Sequence, residues 1–370
     1  FGNARRNNMA WQNGPATLLG SPGTAQLGLS GGESLLVNPL YNGADPWIIQ
    51  RDGYYYLCQA GSGGIEVWRS RTLRSRGERK VVWRAPFRGW NSRQIWAPEL
   101  HWIGGRWFIY YTASEGYNAS HRMGVLEGTS DDPQGAFVDR GMLYTGDDRR
   151  LVRNNRWAID GTVLELRGRL YHIWSGWEDH RDVQHLYIAG MDDACTISTP
   201  RVRLCDNCTH EWEHVGECRR QRGLNEGPAV LHRNGRVYLV YSCSGSWEAS
   251  YKLGMLWMNE GDDPLDARSW RKLDRPVFES TRSVFGVGHC SFFKSPDGRE
   301  DWMSFHAKRH RWVGWERTIR VQRFDWLEDG FPNFGRPLED GAVMSAPSGE
   351  GMVTSGAAMP MSLAASPRGI

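Results

Sequence analysis

Short, nearly continuous apolar runs, rich in β-branched and aromatic residues and bounded by turn residues, recur along this chain in pairs joined by tight turns, the pattern of buried strands. The clearest pair begins at Asn225-Glu226-Gly227-Pro228 and continues as Ala229-Val230-Leu231. It turns at Arg233-Asn234-Gly235 and returns from Val237 to Tyr241 through β-branched and aromatic residues. Asn-Gly supplies the positive φ angles that a two-residue hairpin turn needs. The arrangement recurs. Asp45-Pro46-Trp47-Ile48-Ile49 leads through Asp52-Gly53 to Tyr54-Tyr55-Tyr56-Leu57, and Glu99-Leu100-His101-Trp102 leads through Gly104-Gly105 to Trp107-Phe108-Ile109-Tyr110-Tyr111. Asp160-Gly161-Thr162-Val163-Leu164 leads through Arg167-Gly168 to Leu170-Tyr171-His172-Ile173-Trp174, and His289-Cys290-Ser291-Phe292-Phe293 leads through Asp297-Gly298 to Trp302-Met303-Ser304-Phe305. A third strand is predicted after each hairpin, over 65–69, 121–126, 185–189, 251–257 and 317–324.

The polar residues that open these units are Asp45, Glu99, Asp160, Glu226 and His289, spaced at roughly sixty residues. Small antiparallel sheets repeating at that interval predict an all-β fold, a five-bladed β-propeller. In that architecture the first strand of each blade lines a central channel. The five residues then converge near the axis at one end. One such residue alone reads as a solvent-facing strand edge, whereas five in register define a site. The expected organisation is an N-terminal arm over 1–35, the propeller over 36–340 and a flexible tail over 341–370, where Ser, Ala, Gly and Met dominate. A charged loop over 147–155 is expected to overhang the pocket.

Composition narrows the function. The 19 Trp and 13 Tyr suit both blade packing and sugar stacking. No run approaches the roughly 18 apolar residues of a membrane span. The 45 basic and 42 acidic residues are scattered, with a net charge of +3, and form no stripe for nucleic acid. The expectation is a monomer, secreted and extracellular, with no membrane or nucleic-acid partner. Of seven Cys, four (Cys195, Cys205, Cys208 and Cys218) crowd the insertion between the third and fourth units. One or two disulfides are expected there in preference to a zinc site with His210 and His214. Cys58, Cys243 and Cys290 read as buried thiols. Asn118-Ala119-Ser120 and Asn207-Cys208-Thr209 are candidate glycosylation sequons.

Three carboxylates at one channel mouth point to acid–base chemistry. Glycosidic hydrolysis needs an acid to protonate the leaving oxygen and a base to activate water, roughly 6.5 to 9.5 Å apart when configuration inverts. A neighbouring carboxylate keeps such an acid protonated by like-charge repulsion. No zinc-hydrolase helix, phosphate loop or nucleophile elbow is present.

At Ala44-Asp45-Pro46, Trp96-Ala97-Pro98-Glu99, Ile159-Asp160-Gly161, Asn225-Glu226-Gly227-Pro228, Gly288-His289 and Asp329-Gly330-Phe331-Pro332 the chain resembles glycoside hydrolase family 43. The resemblance runs from about Asn38 to Pro337. It implies a five-bladed propeller and an inverting mechanism, with Asp45 as base, Glu226 as acid and Asp160 tuning and orienting the acid. It also implies that His289 faces an axial cavity that can hold calcium or another ion through water; no cofactor is required for the chemistry itself. Asn38-Pro39-Leu40-Tyr41, Trp157-Ala158-Ile159-Asp160 and the Ser175-Gly176-Trp177 rim look most like the branch of exo-acting α-L-arabinofuranosidases. The implied substrate is an oligosaccharide or polysaccharide, arabinan or arabinoxylan. β-Xylosidase, endo-arabinanase and an inactive sugar-binding propeller stay open as alternatives. Trp96, Glu99, Trp177, Arg317 and Arg320 are candidate substrate-binding residues, although a Trp near a strand is commonly core, a strand Glu commonly binds neighbouring backbone, and an Arg commonly pairs with a carboxylate.

Overall fold

Every predicted hairpin forms, and each gains outer strands that complete a blade. The computed structural model describes residues 34–147, 155–216 and 223–351. Five antiparallel sheets make a five-bladed β-propeller, and no α-helix occurs among the described residues. The innermost strands are Trp47–Arg51, Arg93–Ile103, Ala158–Leu166, Asn225–Arg233 and Phe285–Lys294. Neighbouring innermost strands touch around the ring. Four of the turns carry the paired positive φ angles that their sequences demand, at Asp52-Gly53, Gly104-Gly105, Arg167-Gly168 and Asn234-Gly235.

The core lies between blades. Among the described residues one apolar cluster fills each junction, such as Tyr110, Val163 and Trp174 between the second and third blades, or Val240, Met303 and Phe305 between the fourth and fifth. Trp107, Trp174 and Trp302 are fully buried, and truncating one to Ala would cost about 3–5 kcal/mol.

The ring closes with chain from its beginning. Tyr41–Asn42 supplies the outer strand of the fifth blade, pairing with Ile319 and Thr318 of Arg317–Trp326. Upstream of it, the buried Asn38 side chain imitates another rung: Nδ2 donates to the Val321 carbonyl at 2.7 Å and Oδ1 accepts from the Val321 amide at 3.1 Å. Leu35–Val37 pairs with Val343–Ser345. Residues 341–351 of the expected tail are therefore part of the folded body; the Leu73 amide donates to Glu350, and the Ser348 amide to Glu300. The expected arm up to residue 33, the loop over 148–154 and the tail from 352 lie outside the described residues.

The Cys insertion is described only in part. None of Cys195, Cys205 and Cys208 is bonded to another of the three, and Cys218 lies outside the described residues. Cys205 sits in the outer strand Val202–Cys205 with its sulfur turned toward Asn225, whereas Cys195 packs against the second–third junction. Burial pushes their thiols up to about 12 and about 11. The second sequon is not presented either: Asn207 is fully buried, donating to the Gln184 carbonyl.

Asn38→Ala removes both bonds to Val321 and leaves buried backbone groups unpaired, a cost of about 1–3 kcal/mol. Thermal unfolding should shift down by several degrees. An unchanged Tm would show that ring closure does not depend on this side chain.

Candidate active site

A single backbone device repeats where the innermost strands enter the ring. Asp45, Ala97, Asp160, Gly227 and His289 all have positive φ, between 41° and 55°. In four of the blades this residue lies inside a register shift of the innermost pair, a β-bulge that re-aims side chains. Asp and His tolerate the left-handed region better than most residues. Gly227 meets a further demand, since a Cβ there would sit 3.1 Å from the His289 ring.

The device gathers Asp45, Asp160 and His289. His289 Nδ1 is 3.3 Å from Asp45 Oδ1 and 3.9 Å from Asp160 Oδ2. Arg317 Nη1 and His306 Nδ1 reach the same Asp45 oxygen at 3.4 and 3.2 Å. Asp160 is fixed from two sides: its amide donates to Thr112, and its Oδ2 accepts the Gly227 amide at 3.2 Å. That bond holds the backbone next to Glu226, which precedes the bulge. Tyr251 OH donates to Glu226 Oε1 at 2.9 Å. Beneath this strand the buried Glu213 carboxylate accepts from Asn225 and Tyr241 and pairs with Lys272 at 2.6 Å. The Cys-bearing insertion thus supplies the footing for the residue beside Glu226.

Electrostatics separate the three acids. Burial pushes Asp45 up, but His289, Arg317 and His306 together outweigh it and hold its carboxyl well below the usual range. Burial raises Glu226 to about 7; the Tyr251 hydrogen bond opposes the rise and Asp45 adds to it. Burial, then the charges of Glu226 and Asp45, raise Asp160 well above an ordinary carboxylate. Burial depresses both imidazoles, His306 to about 4, so among the described residues Arg317 is the permanent cation at these acids. The pocket therefore binds a proton on the Asp160–Glu226 pair while Asp45 stays ionised.

The other predicted positions divide. Glu99 lies two residues past its bulge, out of register with the rest, and Ala97 takes the second blade's place. Glu99 is buried and bonded to His101 Nε2 at 2.8 Å. Burial drives the carboxyl up and the imidazole down to about 3. Arg320 does not reach the site; it binds the Leu338 carbonyl and Asp340. Trp96 stacks on His121 at 4.0 Å and stays partly exposed, whereas Trp177 is buried and stacked on Trp157 at 4.5 Å. His289 turns Nδ1 to the carboxylates, and among the described residues no three His, Cys, Asp or Glu side chains converge on a common point as a direct metal cradle. Sequence reasoning missed Tyr251 and His306. A His inside the apolar return run Trp302–Phe305–Ala307 was the available signal for the second.

A sequence profile for Glycosyl hydrolases family 43 matches residues 36–332. The chain is 32% identical over 314 residues to alpha-L-arabinofuranosidase 43 of Humicola insolens, covering 80% of this chain and 62% of that one. It is 34% identical over 285 residues to an extracellular exo-alpha-(1->5)-L-arabinofuranosidase of Streptomyces chartreusis, covering 74% and 83%. Among solved structures, an alpha-L-arabinofuranosidase from Lactobacillus brevis matches with a TM-score of 0.73 at 34% identity, covering 83% of this chain and 98% of that one. The chain spans less than two thirds of the length of the Humicola relative.

Raised carboxyl pKa values carry a stability signature. A folded pKa above the unfolded value contributes stability that is complete below the unfolded pKa and is lost as pH rises through the folded one. For Glu226 that window runs from the ordinary value of 4.5 to about 7. Asp45, shifted the other way, is constant across it. Glu226→Gln should therefore gain thermal stability relative to the parent between pH 5 and pH 8. Parallel Tm curves for the two proteins would contradict the raised pKa.

Proposed function

Since the chain belongs to glycosyl hydrolases family 43, we propose that it is an inverting, exo-acting α-L-arabinofuranosidase that releases L-arabinofuranose from α-1,5-arabinan or arabinose-substituted plant polysaccharide. The observation that carries this reading is one pocket holding one carboxyl down and another up: Asp45 well below the carboxylate range and Glu226 near 7. The names of the matched relatives support the choice of sugar. The word extracellular in the Streptomyces names supports a secreted enzyme.

In the mechanism Asp45 takes a proton from water as the water oxygen bonds to the anomeric carbon. Glu226 gives its proton to the glycosidic oxygen as the carbon–oxygen bond breaks. The sugar departs with inverted configuration, and solvent exchange moves the proton from Asp45 back to Glu226. Arg317 keeps Asp45 ionised, while His306, whose Nδ1 accepts the Asp45 amide at 3.2 Å, and His289 orient it. Asp160 holds the Gly227 amide, which aims Glu226, and disfavours a second negative charge beside it. No step is routed through a metal.

Asp45→Ala should lower kcat by orders of magnitude on every substrate, because no base remains. Glu226→Ala should be far less damaging on an aryl arabinofuranoside, whose leaving group needs little protonation, than on arabinan. An equal loss on both would remove Glu226 from the acid's role. Asp160→Asn should reduce the rate by disturbing the carboxyl group that holds the Gly227 amide and so aims Glu226; an unchanged rate would contradict that role. Proton NMR of the first-formed sugar should show inversion, and incubation with aryl pentosides and linear arabinan separates arabinose release from xylose release and from binding alone.

A further inference from the structure

The loop joining Asp301–Lys308 to Arg317–Trp326 stands at the same end of the ring as Asp45 and Glu226. It exposes two large rings, Trp312 at 70% and Trp315 at 56%. The loop is not loose. The buried Lys308 ammonium donates to the carbonyls of Trp247 at 2.7 Å and Gly314 at 2.5 Å, and the Gly314 amide donates to the Trp247 carbonyl at 2.9 Å. These bonds tie the fifth blade's loop to the fourth blade's Ser244-Gly245-Ser246-Trp247 rim. The indoles of Trp247 and Trp315 then lie 5.5 Å apart at 48°. The pair continues into the pocket on both sides. Trp247 packs against the cluster of Leu224 and Tyr251, and the Tyr251 hydroxyl donates to Glu226. The Arg317 guanidinium lies 5.6 Å from the Trp315 ring centre and contacts Asp45.

Holding indole in water is unfavourable by about 25 cal/mol per Å² of apolar surface, so a pinned, exposed aromatic wall at a pocket rim marks a binding surface. An indole accepts the C–H face of a sugar ring while the hydroxyls remain hydrated. The wall's position names which sugar. Resting on the hydrolase reading above, the acid lies beside the oxygen it protonates, so the chain leaving with that oxygen passes Glu226 and Tyr251 and next meets Trp247. We propose that Trp247 and Trp315 form the leaving-group subsite, stacking the neutral pentose units beyond the scissile bond, and that they select oligosaccharides over small glycosides.

Trp315→Ala is the test, because the ring is exposed and outside the proposed catalytic groups. Two substrates are compared: α-1,5-linked arabinotriose, which reaches the wall, and methyl α-L-arabinofuranoside, which does not. The variant should raise KM for the triose on the order of tenfold, equivalent to about 1.4 kcal/mol, with kcat/KM for the methyl glycoside unchanged. Trp315→Phe should restore most of the triose affinity. Equal losses on both substrates, or no loss on the triose, overturn the subsite. Wild-type protein that hydrolyses neither glycoside overturns the hydrolase reading instead. Titration with arabinotriose followed by tryptophan fluorescence then decides the wall separately: weaker binding by Trp315→Ala supports it, and equal affinities overturn it.

Discussion

The site depends on one backbone constraint, the left-handed residue that each innermost strand adopts as it enters the ring. In four blades a bulge turns that residue's side chain out of the strand's alternation and into the space shared with its neighbours. Repeated around a closed ring, it converts residues far apart in sequence into contacts such as His289 with Asp45. The residue types follow from the conformation. Asp and His carry it with little penalty and bring chemistry with them. Glycine carries it in the fourth blade, where a Cβ would crowd the His289 ring at 3.1 Å and the amide is needed by Asp160. Strain of this kind persists where surrounding structure enforces it, and here the interblade clusters do so.

Charge balance then divides the labour. Among the described residues three acids face a single permanent cation, because burial keeps His289 and His306 neutral near pH 7. Arg317 lies against Asp45, so that carboxylate is the one held ionised. Glu226 has a hydroxyl partner and a buried setting, and Asp160 has one backbone amide, so the remaining proton stays with them. On the proposed reading, acid and base are assigned by which carboxylate has the guanidinium.

Much of this was legible in the sequence, for a physical reason. Hairpin turns need particular residues, so Asp-Gly, Gly-Gly, Arg-Gly and Asn-Gly announced the inner pairs, and repetition announced the propeller. What stayed hidden was whatever depends on φ or on distant pairing. Counting polar residues placed Glu99 in register, but the second blade's bulge falls on Ala97, and two residues of offset put Glu99 into the interior with His101. Arg320 looked equivalent to Arg317; three residues along a strand reverse the side chain's face, and it meets Asp340 instead. The closing strand at Tyr41–Asn42 is too short to show a period. Tyr251 read as the start of a third strand, with nothing local to connect it to Glu226. In the insertion the expected disulfide includes Cys218, outside the described residues, and no bond joins Cys195, Cys205 and Cys208 to one another. In space Cys205 faces Asn225, and the stabilising contact is the buried Glu213–Lys272 pair.

The central claim is that the folded ring keeps Asp45 ionised and a proton on the Glu226 side of the same pocket. Carbon-13 NMR of protein labelled at the Asp and Glu carboxyl carbons, assigned with single-site variants and titrated from pH 4 to pH 9, measures this directly. The account predicts an Asp45 resonance already at its ionised position at pH 4, and a Glu226 resonance that titrates near pH 7. Titration of Asp45 above Glu226 would contradict it.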